Sequence, residues 1–203
     1  MASVIDFAII FVTAFGFNLI PFAGPSNLLI ASTAAISLGN ADASTLILVG
    51  IVIALGAASA KGIHYMVTFF VSGHLSQKNQ ARLGADAAKV RRWAMPLLFL
   101  VAATPLPDEP VVIPLGLMKY SPAKFFAAYL LGKLTIAIAG AFIGKEASNL
   151  FAGWLSPEIM IAISIILTVV ITIILLKVDL GKLAQKYITK KPAQKSEITR
   201  KTY

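Results

Sequence analysis

The stretch VAATPLPDEPVVIPLGLMKYSPAKFFAAYLLGK, residues 101–133, decides the fold of this chain. Within it, prolines bracket two adjacent acids, Asp108 and Glu109, and apolar residues lie on both sides. Proline removes a backbone donor and clashes with the preceding turn, so a continuous helix does not run through this cluster. Neither apolar arm reaches the roughly 20 helical residues that cross a hydrocarbon core. We therefore predict that residues 94–118 form a re-entrant hairpin, which enters the membrane and returns.

The composition is typical of an integral membrane protein. Its 203 residues are 58% hydrophobic and 13% charged, with a mean hydropathy of +0.82. These values predict an all-α, multi-pass protein of the cell membrane. The chain has no cysteine and two histidines, which excludes thiolate sites and the common zinc motifs. We expect no metal and no cofactor, and an enzyme is the least expected class because no nucleophile-base pair or nucleotide loop is present.

The first part of the chain repeats the same order of features. Residues 4–38 contain an apolar arm, a break at Pro21, Gly24 and Pro25, and a second apolar arm. A helix with many small residues and one lysine follows each hairpin, so we predict an inverted repeat with about three full transmembrane helices. We predict a single membrane domain over residues 1–177. Its first half consists of a re-entrant hairpin over 4–38, a transmembrane helix over 43–72 and a cytoplasmic amphipathic loop over 73–93. Its second half consists of a re-entrant hairpin over 94–118 and transmembrane helices over 122–143 and 158–177, and a basic cytoplasmic tail over 178–203 follows.

The net charge of +9 is concentrated in two clusters. Eight of the eighteen Lys and Arg residues lie from Lys177 to the C-terminus, and five lie from Lys78 to Arg92. Lys and Arg accumulate on the cytoplasmic side of membrane proteins, and the re-entrant arrangement of residues 94–118 places both clusters on that side. We therefore interpret them as topology signals and expect no nucleic-acid partner.

Four ionisable side chains lie inside predicted membrane segments: Lys61, Asp108, Glu109 and Lys133. Each costs roughly 2.5 to 3.5 kcal/mol at the centre of an isolated helix on insertion scales, so they should face one another or water. Their charges sum to zero. They form either structural ion pairs or a substrate and proton site, and the position of the acids on the proline break favours the site.

Weaker candidates flank the breaks. Asn18 and Asn27 stand on either side of the first break and are expected to cap its half-helices, and we keep them as polar candidates for the substrate site. His64 is expected to be a hydrogen-bonded packing residue. The residues predicted to interrupt the two hairpins are Pro21, Gly24, Pro25, Pro105, Pro107, Pro110, Pro114 and Gly116.

At its two breaks the sequence resembles the DedA family, also called VTT or SNARE-associated Golgi proteins. The segment NLIPFAGPSN, residues 18–27, is similar to the first hairpin motif of that family, and Pro105, Pro114 and Gly116 match its second motif. The family's acids and arginines are replaced here by Phe17, Asn27, Ala102 and Asp108. The chain thus resembles a divergent, small branch, in which Lys61 and Lys133 would supply the cations.

The resemblance implies a flippase or scramblase that moves an anionic phosphate lipid, such as a polyprenyl phosphate or a phospholipid. Its partners would be membrane lipids, with protons and a second copy of the chain as further candidates. In this interpretation the half-helix N-termini, together with Lys133 or Lys61, hold the head group, and Asp108 and Glu109 share a proton. Two other hypotheses stay open, a proton-coupled exporter of small cations or drugs and a non-transporting membrane scaffold.

Overall fold

The computed structural model describes residues 2–21, 24–39, 41–76 and 92–151, together with five isolated helical positions between 159 and 170. Within these ranges every regular element is helical, which confirms the all-helical prediction. The tail over 178–203, most of the loop over 73–93, and all but those five positions of the predicted transmembrane helix over 158–177 lie outside the described residues. The helices are α1 (Val4–Leu19), α2 (Asn27–Ser37), α3 (Ala43–Val71), α4 (Arg92–Ala102), α5 (Glu109–Leu117) and α6 (Pro122–Phe151).

Local signals explain where the helices begin. Ser3 precedes α1 and forms a capping box with Asp6, whose backbone N–H donates to Ser3 Oγ at 3.2 Å. Asp42 caps α3 by accepting from the Thr45 backbone N–H at 3.1 Å. Pro122 is the first residue of α6, as the sequence predicted, because the first turn of a helix needs no N–H from that position.

Among the described residues, two helices are long and apolar enough to cross a membrane. These are α3, which a 3-10 turn extends to His74, and α6. At 1.5 Å per residue the 29 residues of α3 rise about 44 Å, which exceeds a hydrocarbon core of roughly 30 Å. By contrast, α1 has 16 residues, α2 has 11 and α5 has 9, so these arms are too short to span it alone.

The two long helices pack against each other and run in opposite directions. Gly50, near the start of α3, lies against Ile138 in the second half of α6. Tyr65, near the end of α3, stacks on Phe125 at the start of α6, with ring centroids 4.2 Å apart. Two buried clusters result, one around each end of the α3 and α6 pair.

Each short helix packs on one of these long helices. The first arm of each hairpin lies on the long helix that follows it. A Cβ at Gly56 of α3 would stand 2.8 Å from the Phe11 carbonyl oxygen of α1. Likewise, a Cβ at Gly132 of α6 would stand 2.7 Å from the Phe99 carbonyl oxygen of α4. The second arm of each hairpin packs instead on the long helix that follows the other hairpin. Helix α2 packs on α6, where Ser32 Oγ donates to the Gly140 carbonyl at 2.8 Å, and α5 packs on α3.

The structure corrects two expectations from the sequence. The predicted end of the second long helix at residue 143 is wrong, because α6 continues to Phe151. Gly144 serves helix packing there: a Cβ on it would lie 2.5 Å from Ser32 Cα of α2. The assignment of Pro114 and Gly116 to a break is also wrong, since both lie inside α5. Gly116 lets α5 approach α3, where a Cβ would stand 2.9 Å from the Tyr65 carbonyl oxygen.

Candidate functional site

The break between α4 and α5 carries both acids to one point. Helix α4 ends at Ala102, and Thr104 Oγ1 donates to the Val101 carbonyl at 2.8 Å, which satisfies one of the last free acceptors of that helix. Pro105 and Pro107 lie in the break, and Pro110 lies in the first turn of α5. Asp108 is the N-cap of α5 and Glu109 is its first residue, although the Asp108 side chain makes no capping bond.

The four ionisable residues singled out by the sequence form one buried cluster. Lys61, Asp108, Glu109 and Lys133 are each between 3% and 4% exposed. Lys61 Nζ pairs with Glu109 Oε1 and lies 3.4 Å from Asp108 Oδ1. Lys133 Nζ lies 2.9 Å from Asp108 Oδ2. Three helices, α3, α5 and α6, therefore meet at a neutral set of two cations and two anions.

Asp108 is the central member of the charged cluster, defined as Lys61, Asp108, Glu109 and Lys133. Each of its two carboxylate oxygens faces a different lysine, one from α3 and one from α6. Removing one partner of a buried pair leaves an uncompensated charge, whereas a complete set is satisfied. Protonation of Asp108 would therefore weaken the hold on two lysines together.

Tyr129 is a fifth member of the site that the sequence analysis did not identify. Its side chain is fully buried, and its hydroxyl donates to Asp108 Oδ2. The Lys133 ammonium also lies 5.1 Å from the centre of its ring, within cation-π range. The sequence feature that could have identified Tyr129 is its spacing from Lys133, because the two residues are one turn apart on α6 and share a face.

The first break has a different chemistry. Asn18 and Asn27 are buried and pair through two hydrogen bonds: Asn18 Nδ2 donates to Asn27 Oδ1 at 2.8 Å, and Asn27 Nδ2 donates to Asn18 Oδ1 at 3.3 Å. The expectation that they cap the half-helices is wrong, because the N-cap of α2 is Ser26 and the two amides satisfy each other. The amide pair joins the two arms of the first hairpin across Pro21, Gly24 and Pro25.

His64 joins the first hairpin to α3. One of its ring nitrogens, Nε2, lies 2.9 Å from the Leu19 carbonyl oxygen at the end of α1. This carbonyl belongs to the last turn of a helix and lacks an intrahelical partner. The contact agrees with the expected hydrogen-bonded packing role, and it places His64 and Lys61, one turn apart on α3, against different hairpins.

Among the described residues, no group of three or more His, Asp and Glu side chains is arranged to hold a metal ion. Comparison with known proteins does not add a precedent: no family model, no curated protein and no solved structure matches the chain.

Proposed function

We propose that this chain is a multi-pass membrane transporter that moves an anionic phosphate lipid, such as a polyprenyl phosphate or a phospholipid, across the bilayer under control of proton binding at Asp108. The observation that supports it is the sharing of one carboxylate by two buried ammonium groups, at 3.4 Å for Lys61 and 2.9 Å for Lys133. One protonation event would free Lys133 for a substrate anion and would leave Lys61 with Glu109 as its remaining partner.

The charge balance gives this control a direction. With Asp108 ionised, the charged cluster is neutral and its lysines are occupied. With Asp108 protonated, Lys61, Lys133 and Glu109 carry a net charge of about +1 at the positive end of α5. Phosphate binds to ammonium groups and to free N–H groups at helix N-termini. The site would thus take up an anionic head group when Asp108 is protonated and release it when Asp108 ionises.

The lipid tail has a path that keeps it in the bilayer. Helix α4 leads directly to the break and exposes large apolar side chains: Trp93, Met95, Leu97, Phe99 and Leu100. Such a surface suits acyl or prenyl chains. A head group could therefore reach the charged cluster while its tail follows the outside of α4.

The packing of the helices supports the architecture that this function needs. Equivalent helices of an inverted repeat run in opposite directions, and α3 and α6 do so. The exchanged packing of α2 on α6 and of α5 on α3 is what two related units would produce. We propose two re-entrant hairpins that open to opposite faces of the cell membrane, with the basic loop over 73–93 and the C-terminal tail cytoplasmic, in a divergent branch of the DedA superfamily.

A membrane scaffold is the second candidate, because a complete, neutral ion cluster also stabilises a helix bundle. A cation exporter fits less well, since a substrate cation would have to displace a lysine from acids that are already paired. The two remaining candidates differ in one respect: a scaffold needs the cluster only for stability.

The test is a flip assay in liposomes with a fluorescent phosphate lipid. We expect activity from the native chain, a loss of at least tenfold for Lys133→Ala, and native activity for Lys145→Ala. Lys145 is a matched control because it also lies on α6 but donates to the Ala41 carbonyl at 2.7 Å, away from the charged cluster. Folded native protein without flip activity, or Lys133→Ala with native activity, would contradict the proposal and favour the scaffold.

A further inference from the structure

We infer that Tyr129 is a positioning residue of this site, which holds Asp108 and Lys133 together and sets how readily Asp108 takes up its proton. The inference rests on the proposed function, because it assigns to Tyr129 a part in the proton control of the same site. It concerns a side chain that would not itself contact the lipid head group.

Tyr129 contacts both members of the Asp108–Lys133 pair through different parts of one side chain. Its hydroxyl donates to Asp108 Oδ2, which is also the oxygen that Lys133 Nζ approaches at 2.9 Å. Its ring lies 5.1 Å from the same ammonium. The carboxylate and the ammonium are therefore held at one geometry by a third residue that carries no charge.

The tyrosine ring is itself fixed. It stacks on Phe125 with an interplanar angle of 9° and a centroid distance of 5.8 Å, and Phe125 stacks in turn on Tyr65. These rings belong to the buried cluster that joins α3, α4, α5 and α6. A rigid aromatic column thus carries the Tyr129 hydroxyl to Asp108, so the hydrogen bond is built into the packing of the fold.

The hydroxyl has a defined effect on proton uptake. A hydrogen bond donated to a carboxylate favours its ionised form. Among the described residues, Asp108 is faced by Lys61 from α3 and by Lys133 and Tyr129 from α6, and Glu109 is its neighbour in the chain. The lysines are substrate ligands in the proposed mechanism. Tyr129 could therefore adjust the proton affinity of Asp108 without altering the charge that the substrate meets.

The experiment compares Tyr129→Phe with Tyr65→Phe in the full chain, reconstituted in liposomes. Tyr65 is the matched control because it belongs to the same stack, yet its hydroxyl donates to the Tyr120 backbone carbonyl. Infrared difference spectroscopy follows the carbonyl band of the protonated Asp108 carboxyl as the pH changes, and Asp108→Asn identifies that band. The flip assay is run over the same pH range.

We expect Tyr129→Phe to move the titration of the Asp108 band toward higher pH by about one unit, since hydrogen bonds to charged groups are worth about that much. Tyr65→Phe should titrate as the native chain does. A native titration in Tyr129→Phe would overturn the inference, whether or not lipid moves. A shifted band in a protein that moves no lipid would retain the positioning role of Tyr129 while refuting the proposed function, so the two failures are distinguishable.

Discussion

Lys133 Nζ lies 2.9 Å from Asp108 Oδ2, and both side chains are 5% exposed. The two residues come from different helices, α6 and α5, and the same acid also faces Lys61 of α3. The three helices are thus joined at a point where an unpaired charge would be costly. The pair is therefore important for the stability of the fold and, in the proposed mechanism, for transport.

Lys133→Ala should lower the free energy of unfolding by about 3 to 5 kcal/mol, because it leaves the Asp108 carboxylate buried with one cation fewer. Adding Asp108→Asn should recover part of this loss, since Lys61 keeps Glu109 as its partner. Denaturant unfolding of the detergent-purified variants measures both effects. A double variant less stable than Lys133→Ala would contradict the assignment of the pair.

Asp108→Asn should also abolish the pH dependence of phosphate-lipid binding. In the native chain we expect binding at acidic pH and its loss as the pH rises, because ionised Asp108 again pairs with Lys133 and faces Lys61. Asparagine cannot ionise, so the variant should retain the lipid over the whole range. Fluorescence anisotropy of a labelled phosphate lipid gives the profile, and parallel profiles for the two proteins would exclude Asp108 as the proton-binding group.

The cluster could be anticipated from the sequence only in part. Lys61, Asp108, Glu109 and Lys133 stood out because charges in apolar segments need partners. Their pairing depends on the packing of the second hairpin, in which α5 lies on α3 while α4 lies on α6. The hydrophobic pattern of a single segment does not predict which helix that segment packs against. The substrate role of these residues remains a prediction.

Two other features were hidden for related reasons. The sequence analysis did not identify Tyr129, because its role requires Asp108 to arrive from another helix. Gly144 resembled a helix end, and Pro114 and Gly116 resembled a break, whereas close packing between helices explains both glycines. A glycine has the same appearance in a sequence whether it ends a helix or allows a neighbour to approach.

The stability of the α3 N-terminus should depend on pH through Asp42. Hydrogen bonds from the Ser44 and Thr45 side chains lower the pKa of this carboxyl from 3.8 to about 2. Because the folded pKa is the lower one, the stabilisation is complete above 3.8 and is lost as the pH falls toward about 2. Thermal unfolding in detergent should show a smaller decline over this interval for Asp42→Ala than for the native chain, and equal declines would refute the capping role.

Close packing of α1 on α3 predicts opposite outcomes for two glycines of the same helix. Gly56→Ala should destabilise the protein by about 1 to 3 kcal/mol, because its Cβ would lie 2.8 Å from the Phe11 carbonyl oxygen and backbone must move. A Cβ at Gly62 meets no atom within 4 Å, so Gly62→Ala should be neutral or stabilising by up to about 1 kcal/mol. Unfolding in denaturant distinguishes them, and equal effects would contradict the packing.

The re-entrant path that we propose for the second hairpin predicts that its two ends lie on the same side of the membrane. The Tyr65 hydroxyl of α3 donates to the Tyr120 carbonyl, which holds the exit of the hairpin beside the C-terminal end of α3. The chain has no cysteine, so Ser76→Cys and Ser121→Cys each introduce a single label site on either side of the hairpin. A membrane-impermeant maleimide should label both from the cytoplasmic side of oriented vesicles.

Ser44→Cys, at the other end of α3, serves as the control and should be labelled only from the opposite side. Labelling of Ser76→Cys and Ser121→Cys from opposite sides would mean that residues 94–118 cross the membrane, and it would remove the hairpin on which the proposed site depends.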